Sequence, residues 1–167
     1  MSGYNFGGLK VLICDDSRHI RSLLRTFLLS FGVQMIREAS NADDGYHDFV
    51  EWRPDLVITD WNMAPTTGLE FVERIRTSED SADPFVPIIM VTGYTELYRV
   101  KAARDAGVSV FLAKPLSAQS LYKRLIAIVD DARPFVRIEE YFGPDRRSPK
   151  RTDIYGGGER RMAAGAA

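Results

Sequence analysis

The sequence predicts an α/β protein, a parallel sheet with helices on both faces. Five short apolar runs rich in β-branched residues alternate with five segments of helical period over about 125 residues, the pattern of repeated strand–crossover–strand units. The runs are apolar almost throughout, so each strand is expected to be buried on both sides. Four of them also stop at chemically useful residues: Asp15-Asp16, Asp60, Thr92 and Lys114. Parallel strands joined by right-handed crossovers gather such ends along one edge, where open α/β sheets hold their ligands.

The elements follow in order. Leu9 to Cys14 is the first strand, and Ser17 offers an N-cap hydroxyl to a helix whose stripe is Ile20, Leu23, Leu24, Phe27, Leu28 and Phe31, with Gly32 as its C-terminal cap. A shorter strand spans residues 33–39. Ser40 or Asn41 caps a second helix carrying Ala42, Tyr46, Phe49 and Val50. The third strand, residues 55–60, leads into a loop through Pro65 and Gly68, then a helix with Leu69, Val72 and Ile75. Val86 to Val91 is the fourth strand, ending at Thr92-Gly93. Thr95 to Ala106 is a helix with a weaker apolar stripe, closed by Gly107. The fifth strand, Val108 to Ala113, ends at Lys114-Pro115, and Ser117 caps a last helix expected to bury Leu121, Leu125, Ile128 and Val129.

At 167 residues the chain has room for one domain and an extension. The division falls near residue 132: residues 9–131 form the domain and 132–167 a basic, aromatic tail expected to be mostly irregular, because Pro134, Pro144, Pro149 and Gly156 to Gly158 interrupt it. Residues 1–132 carry 14 Lys/Arg against 18 Asp/Glu, and residues 133–167 carry 8 against 5. The net charge of −1 gives no global pull towards nucleic acid or an anionic membrane. Met1 to Gly8 is polar and glycine-rich, unlike a signal peptide, and no apolar run is long enough to span a bilayer. A single cysteine, Cys14, excludes an intrachain disulfide and fits the cytoplasm; inside an apolar run, it reads as a core filler. His19 and His47 lie in helices without a ligand pattern and read as surface residues.

The carboxylates point to phosphoryl chemistry. Asp15, Asp16 and Asp60 crowded together would repel one another and raise some of their pKa values. A hard ion such as Mg²⁺ (or Mn²⁺) suits an oxygen-rich cluster and polarises phosphoryl oxygens. Asp60 then reads as a nucleophile towards phosphorus, Lys114 as a cation for the phosphoryl oxygens and Thr92 as a movable hydroxyl donor. Each motif alone is commonplace, since an acidic pair after a strand is usually a solvated loop. Their joint order on successive strand ends carries the reading.

Asp15-Asp16-Ser17, Asp60-Trp61-Asn62-Met63 with Gly68 eight residues after Asp60, Thr92 and Lys114-Pro115 together resemble the receiver domain of bacterial two-component response regulators, the stand-alone chemotaxis type in particular. The resemblance implies a flavodoxin-like sheet of order 2-1-3-4-5 and Asp60 as phosphoacceptor for a phosphohistidine on a sensor kinase or phosphotransfer protein. It implies Mg²⁺ held by Asp16, Asp60 and the Asn62 backbone carbonyl, with Asp15 acting through water, and a cis Lys114–Pro115 peptide. Switching would couple Thr92 to Phe111, whose ring lacks the phenolic hydroxyl often found there, and a downstream protein would read residues 95–130. Asn62 and Tyr94 occupy the family's lifetime-tuning positions. The chain departs from the family at Ala64, where proline is usual and Pro65 follows one place late, and at Gly93, where alanine is commoner.

The expected activity is self-phosphorylation and slow self-dephosphorylation, not enzymatic turnover. A phosphorylation-independent adaptor is the rival from another class. An aspartyl phosphatase would carry Asp-x-Asp after its first strand, and a flavin carrier a Ser/Thr/Gly-rich first loop; neither is present. The tail, through Phe135, Tyr141 and Phe142, reads either as a solvated extension or as a docking or dimerisation peptide. Nucleic-acid binding through Arg146, Arg147, Lys150 and Arg151 has no motif behind it.

Overall fold

The computed structural model describes residues 4–93, 97–130, 135–138 and 141–144. Five strands and five helices alternate: β1 (Lys10–Cys14), α1 (Arg18–Ser30), β2 (Met35–Ala39), α2 (Ala42–Trp52), β3 (Leu56–Asp60), α3 (Gly68–Thr77), β4 (Ile88–Thr92), α4 (Leu97–Ala106), β5 (Val110–Ala113) and α5 (Ala118–Asp130). The strands form one parallel sheet in the order β2-β1-β3-β4-β5. Among the described residues no helix is long and apolar enough to cross a membrane.

Side chains alternate across the pleat and fill two cores. Val11 and Ile13, Leu56 and Ile58, and Ile89 and Val91 face α1 and α5, where Leu24, Leu28, Leu121 and Leu125 meet them. Leu12 and Cys14, Val57, and Ile88 and Met90 face the opposite layer, with Phe49 of α2, Phe71, Val72 and Ile75 of α3, and Ala103 of α4. Both sides of the central strands are covered, which is why they read as continuous apolar runs. Phe6 belongs to the first of these cores although its neighbours are polar and glycine-rich. Its ring meets Tyr122 edge-on, Phe31 meets the same ring, and the Tyr4 hydroxyl donates to Asp130 at the end of α5.

Helix starts are set by side-chain caps. The Ser17 hydroxyl accepts from the Ile20 N–H, Asn41 Oδ1 from the Asp44 N–H, and the Ser117 hydroxyl from the Ser120 N–H. Thr67 and Glu70 form a reciprocal capping box on α3. At the far end of α1 the C-cap is Phe31 itself, and Gly32 stands one position beyond it at φ +95°, the left-handed conformation that stops the helix.

Two expectations are revised, and two placements are added. Thr92 is the last residue of β4, at the strand end where it is expected, and its carbonyl accepts from Lys114 N–H, prolonging the ladder. Val129 is 52% exposed: the thirteen-residue α5 outruns the four-residue β5 beside it, so its last turn has little sheet to cover. Arg76, a charged residue in an otherwise unremarkable helix, is completely buried. Its guanidinium donates to the carbonyls of Gly107, Pro84 and Val86 at 2.6–3.0 Å, joining α3 to the segment before β4 and to the turn after α4. The tail, finally, is not irregular throughout. Phe135–Ile138 (β6) and Tyr141–Pro144 (β7) pair as an antiparallel hairpin, with Phe135 opposite Pro144 and Ile138 opposite Tyr141. Pro144 closes the end of its strand, where the missing N–H matters least. The expected start of the fourth helix at Thr95, Tyr94 beside it, and the remaining tail residues lie outside the described residues.

Candidate functional site

The sheet brings the predicted residues to one edge through its backbone. Asp15 follows β1 and its N–H donates to the Ala39 carbonyl; Asp60 ends β3 beside Val91, whose carbonyl accepts from the Trp61 N–H; Lys114 follows β5 and is held to Thr92. Asp15, Asp16 and Asp60 each offer a carboxylate oxygen within 4.8 Å of the others. The Lys114 ammonium lies 3.2 Å from Asp60 Oδ1. Asp15, Asp60 and Thr92 are buried and Asp16 is exposed.

Besides its N–H, Asp15 is held at two atoms and has one carboxylate oxygen left over. Its Oδ1 accepts from the Ser17 N–H at 2.8 Å, its backbone carbonyl from Arg21 Nη1 at 2.7 Å, and Asp15 Oδ2 is buried without a hydrogen-bond partner. An orphaned carboxylate oxygen beside two further carboxylates is a donor set that fits a hard cation. Burial pushes the Asp15 carboxyl up to about 6, the Ser17 N–H opposing and the Asp60 charge adding to the rise. Burial also raises Asp60, against the pull of Lys114.

The rise has a stability consequence. Between 3.8 and about 6 the folded chain holds a proton on Asp15 that the unfolded chain has lost, so metal-free stability falls as pH rises through that window. Asp15→Asn keeps an acceptor for Ser17 and removes the charge. In chelator-treated buffer it is expected to raise stability near pH 7.5 by at most about 3 kcal/mol, the equivalent of the whole rise, and to change little below pH 4. Urea titrations at the two pH values check this, and equal effects at both would contradict it.

The loop after Asp60 is held tightly. Gly68 N–H donates to the Trp61 carbonyl at 2.8 Å, and a Cβ on Gly68 would overlap the Asp60 carbonyl oxygen and sit 2.8 Å from its carbon. The Ala64–Pro65 and Lys114–Pro115 peptides are both cis.

Residues 11–126 match the family described as "Response regulator receiver domain". The chain belongs to that family. The receiver is 34% identical over 119 residues to a chemotaxis protein CheY homolog of Campylobacter jejuni, covering 70% of this chain and 89% of that one. It is 31% identical over 127 residues to the phosphate regulon transcriptional regulatory protein PhoB of Pseudomonas aeruginosa, covering 76% of this chain but only 54% of PhoB, so it spans about half the length of that relative. Among solved structures, chemotaxis response regulator CheY4 of Vibrio cholerae superposes with a TM-score of 0.66 at 30% identity over 72% of this chain and 98% of CheY4. The receiver fold is therefore flavodoxin-like, and the family it belongs to is one of two-component phosphoacceptors.

Other expected residues are placed less decisively. Asn62 is exposed two residues after Asp60. Phe111 is partly buried against the core shared by α2, α3 and α4. Tyr94 lies outside the described residues. Arg21 was missed by sequence reading: it also pairs with Glu38 at 3.3 Å, and its only sequence signal is its place one turn into the helix that follows Asp15.

Proposed function

We propose that this protein is a response regulator whose Asp60 accepts a phosphoryl group from a phosphohistidine on a sensor kinase or phosphotransfer protein, and that residues 95–130 present the switched surface to a downstream protein. The Lys114–Asp60 contact of 3.2 Å, within a cluster of three carboxylates at the sheet edge, carries this reading. An Asp60 carboxylate oxygen attacks phosphorus, the new O–P bond forms as the donor's N–P bond breaks, and the imidazole leaves and regains its proton from solvent. Lys114 offers the transferring oxygens a cation, and the Thr92 hydroxyl offers a donor from the neighbouring strand. Asp15, Asp16, Asp60 and the Asn62 carbonyl would hold Mg²⁺ (or Mn²⁺), which would neutralise the carboxylates and polarise the phosphoryl oxygens. Hydrolysis reverses the modification: water attacks phosphorus, the acyl O–P bond breaks, and inorganic phosphate and the free Asp60 carboxylate result. Once Thr92 is drawn towards the phosphoryl group, Phe111 is the ring positioned on β5 to follow it, a shift between two packings.

Incubation with Mg²⁺ and acetyl phosphate, followed by intact mass, tests the acceptor. A single phosphoryl adduct that disappears in Asp60→Asn and in EDTA is the expected result. An adduct that survives Asp60→Asn would assign the chemistry elsewhere. If neither acetyl phosphate nor beryllofluoride with Mg²⁺ changes the folded protein, the phosphorylation-independent adaptor becomes the better reading.

A further inference from the structure

The tail hairpin does not stand away from the domain. Cα atoms of β7 (Tyr141–Pro144) approach those of α4 (Leu97–Ala106) within 8 Å, so the second strand of the hairpin lies against that helix. The chain reaches α4 after leaving α5 at Asp130, and the paired strands supply a preformed element, not a single extended strand.

The helix it lies against is also lightly buried along its described side chains. Of the α4 residues from Arg99 to Ala106 only Ala103 is fully buried, whereas α1, α2, α3 and α5 each bury two or more. A stretch with so little buried apolar surface from Arg99 to Ala106 is inexpensive to displace. It also begins five residues after Thr92, the hydroxyl at the end of β4.

We propose that the β6–β7 hairpin is an intramolecular cover for α4, occupying in the resting chain the surface a downstream protein would read and giving it up when Asp60 is phosphorylated. The proposal rests on the phosphoacceptor reading above for its trigger, but not for the contact itself. Linkage makes the effect reciprocal: a cover that prefers the resting arrangement of α4 opposes phosphorylation to the same extent that phosphorylation expels it.

The full-length chain carrying Lys101→Cys, an exposed position on α4, can be labelled with a nitroxide because Cys14 is buried. Amide signals of residues 135–138 and 141–143 are expected to broaden in the resting protein and to recover on adding beryllofluoride with Mg²⁺. They are also expected to recover in a second full-length variant adding Val136→Pro, in which a proline interrupts the pairing with Gly143 while the signals of the sheet stay in place. Absence of broadening in the resting protein would overturn the cover. Broadening that persists with beryllofluoride, while amides around Asp60 and Thr92 shift, would overturn the release. If those amides do not shift, the phosphoacceptor reading has failed instead, and the resting broadening still decides whether the hairpin covers α4.

Discussion

Gly68→Ala is expected to lower phosphoryl-adduct formation from acetyl phosphate on the order of a hundredfold and to destabilise the fold. The added methyl has no soft neighbour to displace: it meets the Asp60 carbonyl group and the Trp61 Cα at 3.0 Å, all backbone. The start of α3 must withdraw, breaking the Gly68 N–H bond to Trp61 and shifting the strand end that carries the acceptor. Overpacking of this kind costs about 1–3 kcal/mol or more, and a displacement near 1 Å at a reacting group can cost on the order of a hundredfold in rate. Gly93→Ala is the stability control, because a Cβ there meets nothing within 4 Å. Urea midpoints and adduct time courses for both variants check the claim; wild-type behaviour of Gly68→Ala in both would refute it.

The second large effect is expected at Arg76. Arg76→Met keeps the aliphatic length but leaves the carbonyls of Pro84, Val86 and Gly107 without the donor they now share. Each buried acceptor left unpaired costs about 1–3 kcal/mol, so a loss of several kcal/mol is expected. Arg76→Lys should recover only part, since one ammonium cannot reproduce a fork that uses Nε and both terminal nitrogens. Equilibrium unfolding in urea reads both variants, and a loss under about 1 kcal/mol for Arg76→Met would show that water replaces the guanidinium.

These two residues also mark where sequence reading stops. The strands were legible because burial on both faces writes itself locally, as in Leu56 to Ile58 or Ile88 to Val91. The acidic edge was legible because Asp15, Asp16, Asp60, Thr92 and Lys114 end separate strands, and a parallel sheet leaves them one place to meet. Arg76 was not, because its partners lie 8, 10 and 31 residues further along the chain and nothing nearby distinguishes it from the exposed Arg74. Gly68 was noticed as part of a motif, but its reason is a close approach to Asp60 that only the folded chain displays. Phe6 was hidden by its polar and glycine neighbours, and the prolines and glycines of the tail outweighed the β-branched and aromatic residues that form the hairpin.

The Arg76 guanidinium also decides how α4 can move. It grips the Gly107 carbonyl immediately after the last helical residue. That end of the helix is thus a pivot. Ten residues make a lever about 15 Å long, so a tilt of about 10° carries the Thr92 end through about 3 Å and leaves the Gly107 end nearly still. On the proposed switching, a signal arriving at β4 would become an angular displacement of α4, largest beside the place where it began.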